Sequence, residues 1–260
     1  MKIAVSQLRV EESSQHLDDV LESVAQAADE VDVICFPEYF LGKLPPEPMP
    51  SSSILAIQEV ARLADVNVVC GITRDLRHGD GSYLTSLVIN RAGRLIASID
   101  KNCLYPAEQL WYRAGQGQLW VELDEGIRVG VLAGFDVLRA DLVRAVVEEG
   151  AQLLFVQFAA DSVDFLETVR AVISTRALEH LIPVVAVGQL GTFFGREYVG
   201  GSTVVRPTLT AGDVPGPIER ILAMEDEEDM WAVDLDLDAF RDMRRRFSYY
   251  RPPRIPPNVP

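Results

Sequence analysis

The feature that most constrains this chain is the alternation of short apolar runs with segments of helical period. Residues 2–6, 32–36, 66–72, 84–90 and 95–99 are apolar runs bounded by turn residues, as expected of strands. Between the first two runs, Leu17, Val20, Leu21, Val24 and Ala28 recur at three- and four-residue steps, so 14–30 is predicted as a helix with one apolar face. The chain therefore opens with a β-α-β unit, and a second helix is predicted over 54–64. A compact turn at Asn90-Arg-Ala-Gly93 joins two strands into a hairpin. Further on, 128–135, 153–158 and 184–188 are predicted strands. The segments 140–149, stopped by Gly150, and 165–180 are predicted helices between them. The glycine-punctuated stretch 191–201 is expected to connect two strands. Strands over 200–207 and 230–235 and a helix over 237–247 complete the pattern. This mixture of strand-helix alternation and hairpins predicts an α/β layered sandwich with mixed sheets. No fixed-period repeat divides the chain, so 1–250 is expected to be a single domain, followed by a proline-rich tail over 251–260.

Composition narrows the function. Of 260 residues, 24 are Lys or Arg and 39 are Asp or Glu, giving a formal charge of −15. Nucleic acids and anionic membrane surfaces select a surplus of basic residues, so neither is an expected partner. No run of about 18 apolar residues is present, and the N-terminus lacks the apolar core of a signal peptide. Three cysteines, Cys35, Cys70 and Cys103, do not suggest a disulfide framework, and a cytoplasmic location is expected. His16, His78 and His180 are scattered without metal-ligand spacing, and the acidic run 225–229 lacks calcium-loop offsets. No metal site is expected.

Three segments could carry chemistry. In Cys35-Phe-Pro-Glu-Tyr39, Glu38 emerges at the carboxyl end of an apolar strand, where α/β folds collect ligand sites and apolar neighbours can raise a carboxyl toward a useful base. Taken alone, such a glutamate also fits a solvated turn. In Asp100-Lys-Asn-Cys-Leu-Tyr-Pro106, Lys101 could stabilise an oxyanion and Glu108 could orient it. Were this stretch extended, Lys101 and Cys103 would share a side. Val129-Gly-Val-Leu-Ala-Gly-Phe-Asp136 is a strand leading sharply into a helix, the kind of elbow that often exposes a nucleophile. Gly134 stands at its tip and offers no reacting atom.

In order and spacing these segments resemble the carbon-nitrogen hydrolase (nitrilase) superfamily over nearly the whole chain. Glu38 in F-P-E, Lys101 and Glu108 match three functional positions. Gly130 to Asp136 matches the G-x-x-x-C-Y-D-like elbow, with Gly134 where the cysteine stands. Arg144 with Gly150-Ala151, Arg176-Ala-Leu-Glu179, Gly201-Ser202 and Arg244-Arg-Arg246 are further matches, while Leu138-Arg-Ala-Asp141 departs from the usual R-F-P-E. The resemblance implies a nitrilase-like αββα four-layer sandwich with two mixed sheets, assembled as a homodimer or larger oligomer. It implies no cofactor. In active members the glutamate is general base, the cysteine attacks an amide or nitrile carbon, and the lysine with a backbone N-H stabilises the oxyanion. With glycine at 134, the expectation is a pseudoenzyme binding a small amide, carbamoyl or carboxylate ligand, or a partner chain. Tyr39, Phe135, Asp136 and Cys103 are its further candidate binding residues. The alternative is an ammonia-releasing amidase that uses Cys103 or a water activated by Glu38.

Overall fold

The computed structural model describes residues 1–11, 16–28, 30–42, 48–77, 81–210 and 215–247. His78, the proline-rich tail over 251–260, and the start of the first predicted helix at 14–15 lie outside them. The strands are β1 (Lys2–Gln7), β2 (Val33–Cys35), β3 (Asn67–Arg77), β4 (Gly81–Ile89), β5 (Leu95–Asp100), β6 (Trp120–Glu122), β7 (Arg128–Ala133), β8 (Leu153–Phe158), β9 (Val184–Gly188), β10 (Leu190–Phe193), β11 (Arg196–Val199), β12 (Thr203–Arg206), β13 (Glu219–Ala223) and β14 (Asp229–Asp234). The helices are α1 (His16–Gln26), α2 (Ser52–Ala64), α3 (Ala140–Glu148), α4 (Val163–His180) and α5 (Leu237–Arg246).

Two six-stranded sheets form, in the orders β14-β1-β2-β3-β4-β5 and β13-β12-β9-β8-β7-β6. In each, three central strands are parallel and the outer ones antiparallel: β1, β2 and β3 in the first, β7, β8 and β9 in the second. Period-two alternation divides the first sheet's side chains between two cores. Ile3, Val5, Val33, Cys35, Val69 and Val88 face the second sheet. Ala4, Ile34, Val68, Cys70 and Leu87 face the other way, onto Val20 and Val24 of α1 and Ile54, Ile57 and Ala61 of α2. Beyond the second sheet, Val143 and Val146 of α3 and Leu166, Val169 and Ile173 of α4 close the outer layer. The result is the expected four-layer sandwich.

Caps set the helix limits. Ser51 accepts a hydrogen bond from the Ile54 N-H and Ser162 from the Phe165 N-H, which starts α2 and α4 two residues earlier than periodicity alone predicted. One buried amide bolts the sheets together. Gln157 on β8 donates to the carbonyls of Phe36 (3.0 Å) and Cys70 (2.8 Å), and its oxygen accepts from the Ser86 hydroxyl. Each of these groups, left unpaired, would cost about 1–3 kcal/mol, so the chain at Phe36 is held firmly two residues before Glu38.

Candidate functional site

The directions of the strands bring the candidate residues together. Glu38 follows the parallel strand β2. β5 is antiparallel to β4, which is antiparallel to β3, so the two reversals restore direction and Lys101 leaves β5 at the same end. Gly134 follows β7 at the carboxyl end of the facing sheet's parallel strands. The F-P-E segment is seated by a close approach: a Cβ on Gly71 of β3 would fall 1.6 Å from the Pro37 carbonyl oxygen, so a side chain there would push this segment away.

Lys101 is the hub. Its ammonium donates to Glu38 Oε1 at 3.0 Å and to Glu108 Oε1 at 2.8 Å. Glu108 Oε1 also accepts from the Tyr39 hydroxyl at 2.9 Å, and its second oxygen accepts from the Tyr105 N-H at 2.7 Å. Tyr39 takes a left-handed backbone conformation, with φ of 53°, to turn its ring inward after Glu38. Burial pushes the Glu38 carboxyl up to about 7 against the pull of Lys101, and the charges of Glu108 and Asp136 add to the rise. Burial disfavours charge on Lys101, but the two carboxylates outweigh it and hold the ammonium well above its ordinary range. Near neutral pH the cluster therefore contains a fixed cation beside a carboxyl poised to gain or lose a proton.

Before position 134 the predicted strand ends two residues early, at Ala133, and Gly134–Leu138 forms a single 3-10 turn. Gly134 has φ of 48°. A Cβ built there would lie 2.8 Å from Glu38 Oε1 and 2.8 Å from Lys101 Nζ, so the two side chains converge on a residue without one. The turn is braced from behind. The Asp136 carboxylate, fully buried, accepts from the N-H groups of Asn102 (3.0 Å), Cys103 (2.6 Å) and Ala133 (3.3 Å). Burial raises its pKa despite these bonds. Arg176 of α4, also buried, donates to the carbonyls of Val137 (3.2 Å) and Leu138 (3.1 Å) and pairs with Glu179.

These residues open into a cavity of about 760 Å³, the size of a site for a small molecule. Tyr39 and Phe135, two of the candidate binding residues, line it. Asp136 does not: it ties the elbow to the loop after Lys101 and leaves no oxygen for a ligand. Cys103 is a second correction. The chain bends after Asp100 rather than continuing extended, and Cys103 faces a separate shallow pocket beside Leu138 and Arg139. Burial, and then the Asp136 carboxylate, push its thiol up to about 11, opposite to activation. Cys35 and Cys70 are fully buried in the cores. Sequence reasoning missed Arg74, Tyr112, Phe158, Phe165, Phe194, Arg196 and Tyr198, all of which line the cavity. Phe194 and Tyr198 arrive on the β10-β11 hairpin, which the sequence suggested only as a connection. Among the described residues no cluster of His, Cys, Asp or Glu could hold a metal ion, and no helix is long and apolar enough to cross a membrane.

The carbon-nitrogen hydrolase family model matches residues 2–245. The chain belongs to the carbon-nitrogen hydrolase family. An (R)-stereoselective amidase of Pseudomonas sp. is 26% identical over 98% of this chain and 92% of that protein. A hydrolase encoded in the agr operon of Staphylococcus aureus is 25% identical over 85% of each. Among solved structures, a CN-hydrolase superfamily protein of Xanthomonas campestris superposes with a TM-score of 0.82, covering 96% of both chains at 20% identity. An amidase from Nesterenkonia sp. superposes with a TM-score of 0.75 at 25% identity, over 95% of this chain and 94% of that one. In this carbon-nitrogen hydrolase fold Gly134 stands at the tip of the elbow after β7, beside Glu38 and Lys101.

Proposed function

We propose that this member of the family binds a small amide, carbamoyl or carboxylate compound in the cavity above Lys101 without forming an acyl-enzyme. The observation that carries this reading is the environment of Gly134. The elbow, the ammonium and the poised carboxyl all converge on an atom that cannot attack. The remaining groups still suit binding. An amide or carbamoyl oxygen can accept from Lys101, an amide N-H can donate to Glu38, and the aromatic walls exclude water, which strengthens both bonds. The amidase relatives motivate the ligand class.

One observation favours a second reading. Glu38, with a carboxyl raised to about 7, is suited to taking a proton from water near neutral pH, which would allow slow hydrolysis without a thiol. Nothing comparable supports Cys103, which faces elsewhere and resists ionisation.

Calorimetry of the protein against short aliphatic amides, ureas and carboxylates tests the binding reading. It expects saturable heat from at least one compound, lost in Lys101→Met. Absence of saturable heat across the whole panel would contradict it.

A further inference from the structure

The β10-β11 hairpin turns tightly beside the cavity. Phe193 pairs with Arg196 across the two strands, which leaves Phe194 and Gly195 as the loop, with φ of 52° and 67°. Two positive φ angles in succession are those of a type I′ turn, whose first position favours Asn, Asp or Gly. A phenylalanine there is strained, because its Cβ crowds the backbone in the left-handed region. Burial does not offset the strain: Phe194 is 46% exposed, and it lines the cavity.

Strained residues of this kind gather at ligand clamps, and the neighbours of this ring fit one. Phe194 stands edge-on to Tyr39, another aromatic residue with a left-handed backbone, at 6.1 Å between centroids and 88° between planes. The Tyr39 hydroxyl donates to Glu108, the carboxylate that holds Lys101, so only the Tyr39 ring separates Phe194 from the polar cluster. Tyr105 and Trp111, 39% and 77% exposed, line the same cavity. A short aliphatic amide would leave most of its volume of about 760 Å³ unfilled. The hairpin itself is a two-stranded sheet apart from the two large ones, and such a pair is marginal unless it is tied down. Its ties do not use the Phe194 ring. The Val10 N-H donates to the Leu190 carbonyl at 2.8 Å, the Val199 N-H donates to the Ala160 carbonyl at 3.0 Å, Arg196 pairs with Asp161, and Phe193 is fully buried in the core.

We infer that Phe194 is a specificity-determining residue that selects ligands ending in an aromatic ring. The ligand is an uncharged amide or urea with its polar end at Lys101 and its aryl group among Phe194, Tyr105 and Trp111, where offset and edge-on ring pairs are favoured. This rests on the binding reading above and names the ligand class for that same site.

The test compares butanamide with phenylacetamide, 3-phenylpropanamide and 4-phenylbutanamide, which keep the amide and add the ring at increasing reach. Affinities for the wild-type protein, Phe194→Tyr and Phe194→Asn are read from titrations followed in protein NMR spectra, which register millimolar binding. At least one phenyl amide is expected to bind wild type about tenfold or more tighter than butanamide, the upper scale of one aromatic pair. Phe194→Tyr keeps that gain, Phe194→Asn reduces it by about fivefold or more, and butanamide binds all three proteins alike. Because Asn suits the left-handed turn, the urea midpoint of Phe194→Asn is expected to be no lower than that of wild type. A lower midpoint, or equal weakening of butanamide and the phenyl amides, makes the ring a support of the hairpin and overturns the inference. So does an undiminished gain in Phe194→Asn. Phenyl amides no tighter than butanamide on wild type overturn it too, while butanamide binding that is lost in Lys101→Met leaves the binding reading standing. Silence from all of the amides counts against the inference and the binding reading together. Nuclear Overhauser contacts between the aryl protons of the bound ligand and the Phe194 ring, expected on wild type, keep the test decisive if a variant fails to fold; their absence overturns the inference.

Discussion

Replacing Gly134 with cysteine puts a side chain where its neighbours already converge, and both the cost and the consequence follow from the geometry. The new Cβ meets Glu38 Oε1 and Lys101 Nζ at 2.8 Å and Lys101 Cε at 3.1 Å. All three atoms are the ends of flexible side chains, so they withdraw by a few tenths of an ångström instead of blocking the substitution. The larger cost is the backbone: φ of 48° disfavours a residue with a Cβ by about 1–2 kcal/mol. Urea denaturation should therefore show Gly134→Cys and Gly134→Ala less stable than wild type by about that amount, with an unchanged m-value. The new thiol lies beside the Lys101 ammonium and the poised Glu38 carboxyl. With even an ordinary thiol pKa of about 8.5, its thiolate fraction at pH 7 exceeds that of Cys103, whose pKa is about 11, by roughly 300-fold. Lower intrinsic nucleophilicity trims this to roughly 20-fold in rate. Iodoacetamide labelling followed by peptide mass spectrometry reads the two sites separately. A variant as stable as wild type, or one labelled no faster at 134 than at Cys103, refutes the placement of this residue against Glu38 and Lys101.

Two further predictions concern the groups around that position. Because the folded protein holds Glu38 protonated up to about pH 7, it binds more protons there than the unfolded chain, and its stability falls as pH rises from about 4.5 to about 7. Glu38→Gln removes this dependence, so denaturation midpoints of variant and wild type should drift in the variant's favour across that window and run parallel above it; a constant offset from pH 4 to 8 would contradict the burial of this carboxyl. Asp136→Ala strands three backbone N-H groups, and should lower stability by about 3 kcal/mol in urea and loosen the Lys101 loop, weakening any cavity ligand; unaltered stability would show that the brace is unimportant.

The layered architecture was legible because each apolar run announced a strand and each amphipathic stretch a helix, and the order of Glu38, Lys101, Glu108 and the elbow located the site. Elements at the sheet edges were not. β6 spans only three residues, and β13 is largely exposed, so neither has enough buried alternation to stand out. The β10-β11 hairpin resembled a loop because its glycines dominate the pattern. Asp136 looked like a ligand contact because an acidic residue beside the elbow suggests one. Only the fold shows that backbone N-H groups from two elements consume it. Cys103 was assigned to Lys101's side on the assumption of an extended chain, which the bend after β5 removes. Arg74 gave little signal, because it lies beyond the apolar run 66–72 in the polar stretch Thr73-Arg-Asp-Leu-Arg77.

The central claim is that the site binds without thiol turnover, and ammonia release tests it most directly. Purified wild-type protein and Glu38→Gln would be incubated with aliphatic amides, ω-amidodicarboxylates, carbamoyl amino acids and nitriles. The account predicts no release above the variant's background from any of them. Sustained release that Glu38→Gln abolishes would contradict it and identify a hydrolase working through water activated by Glu38.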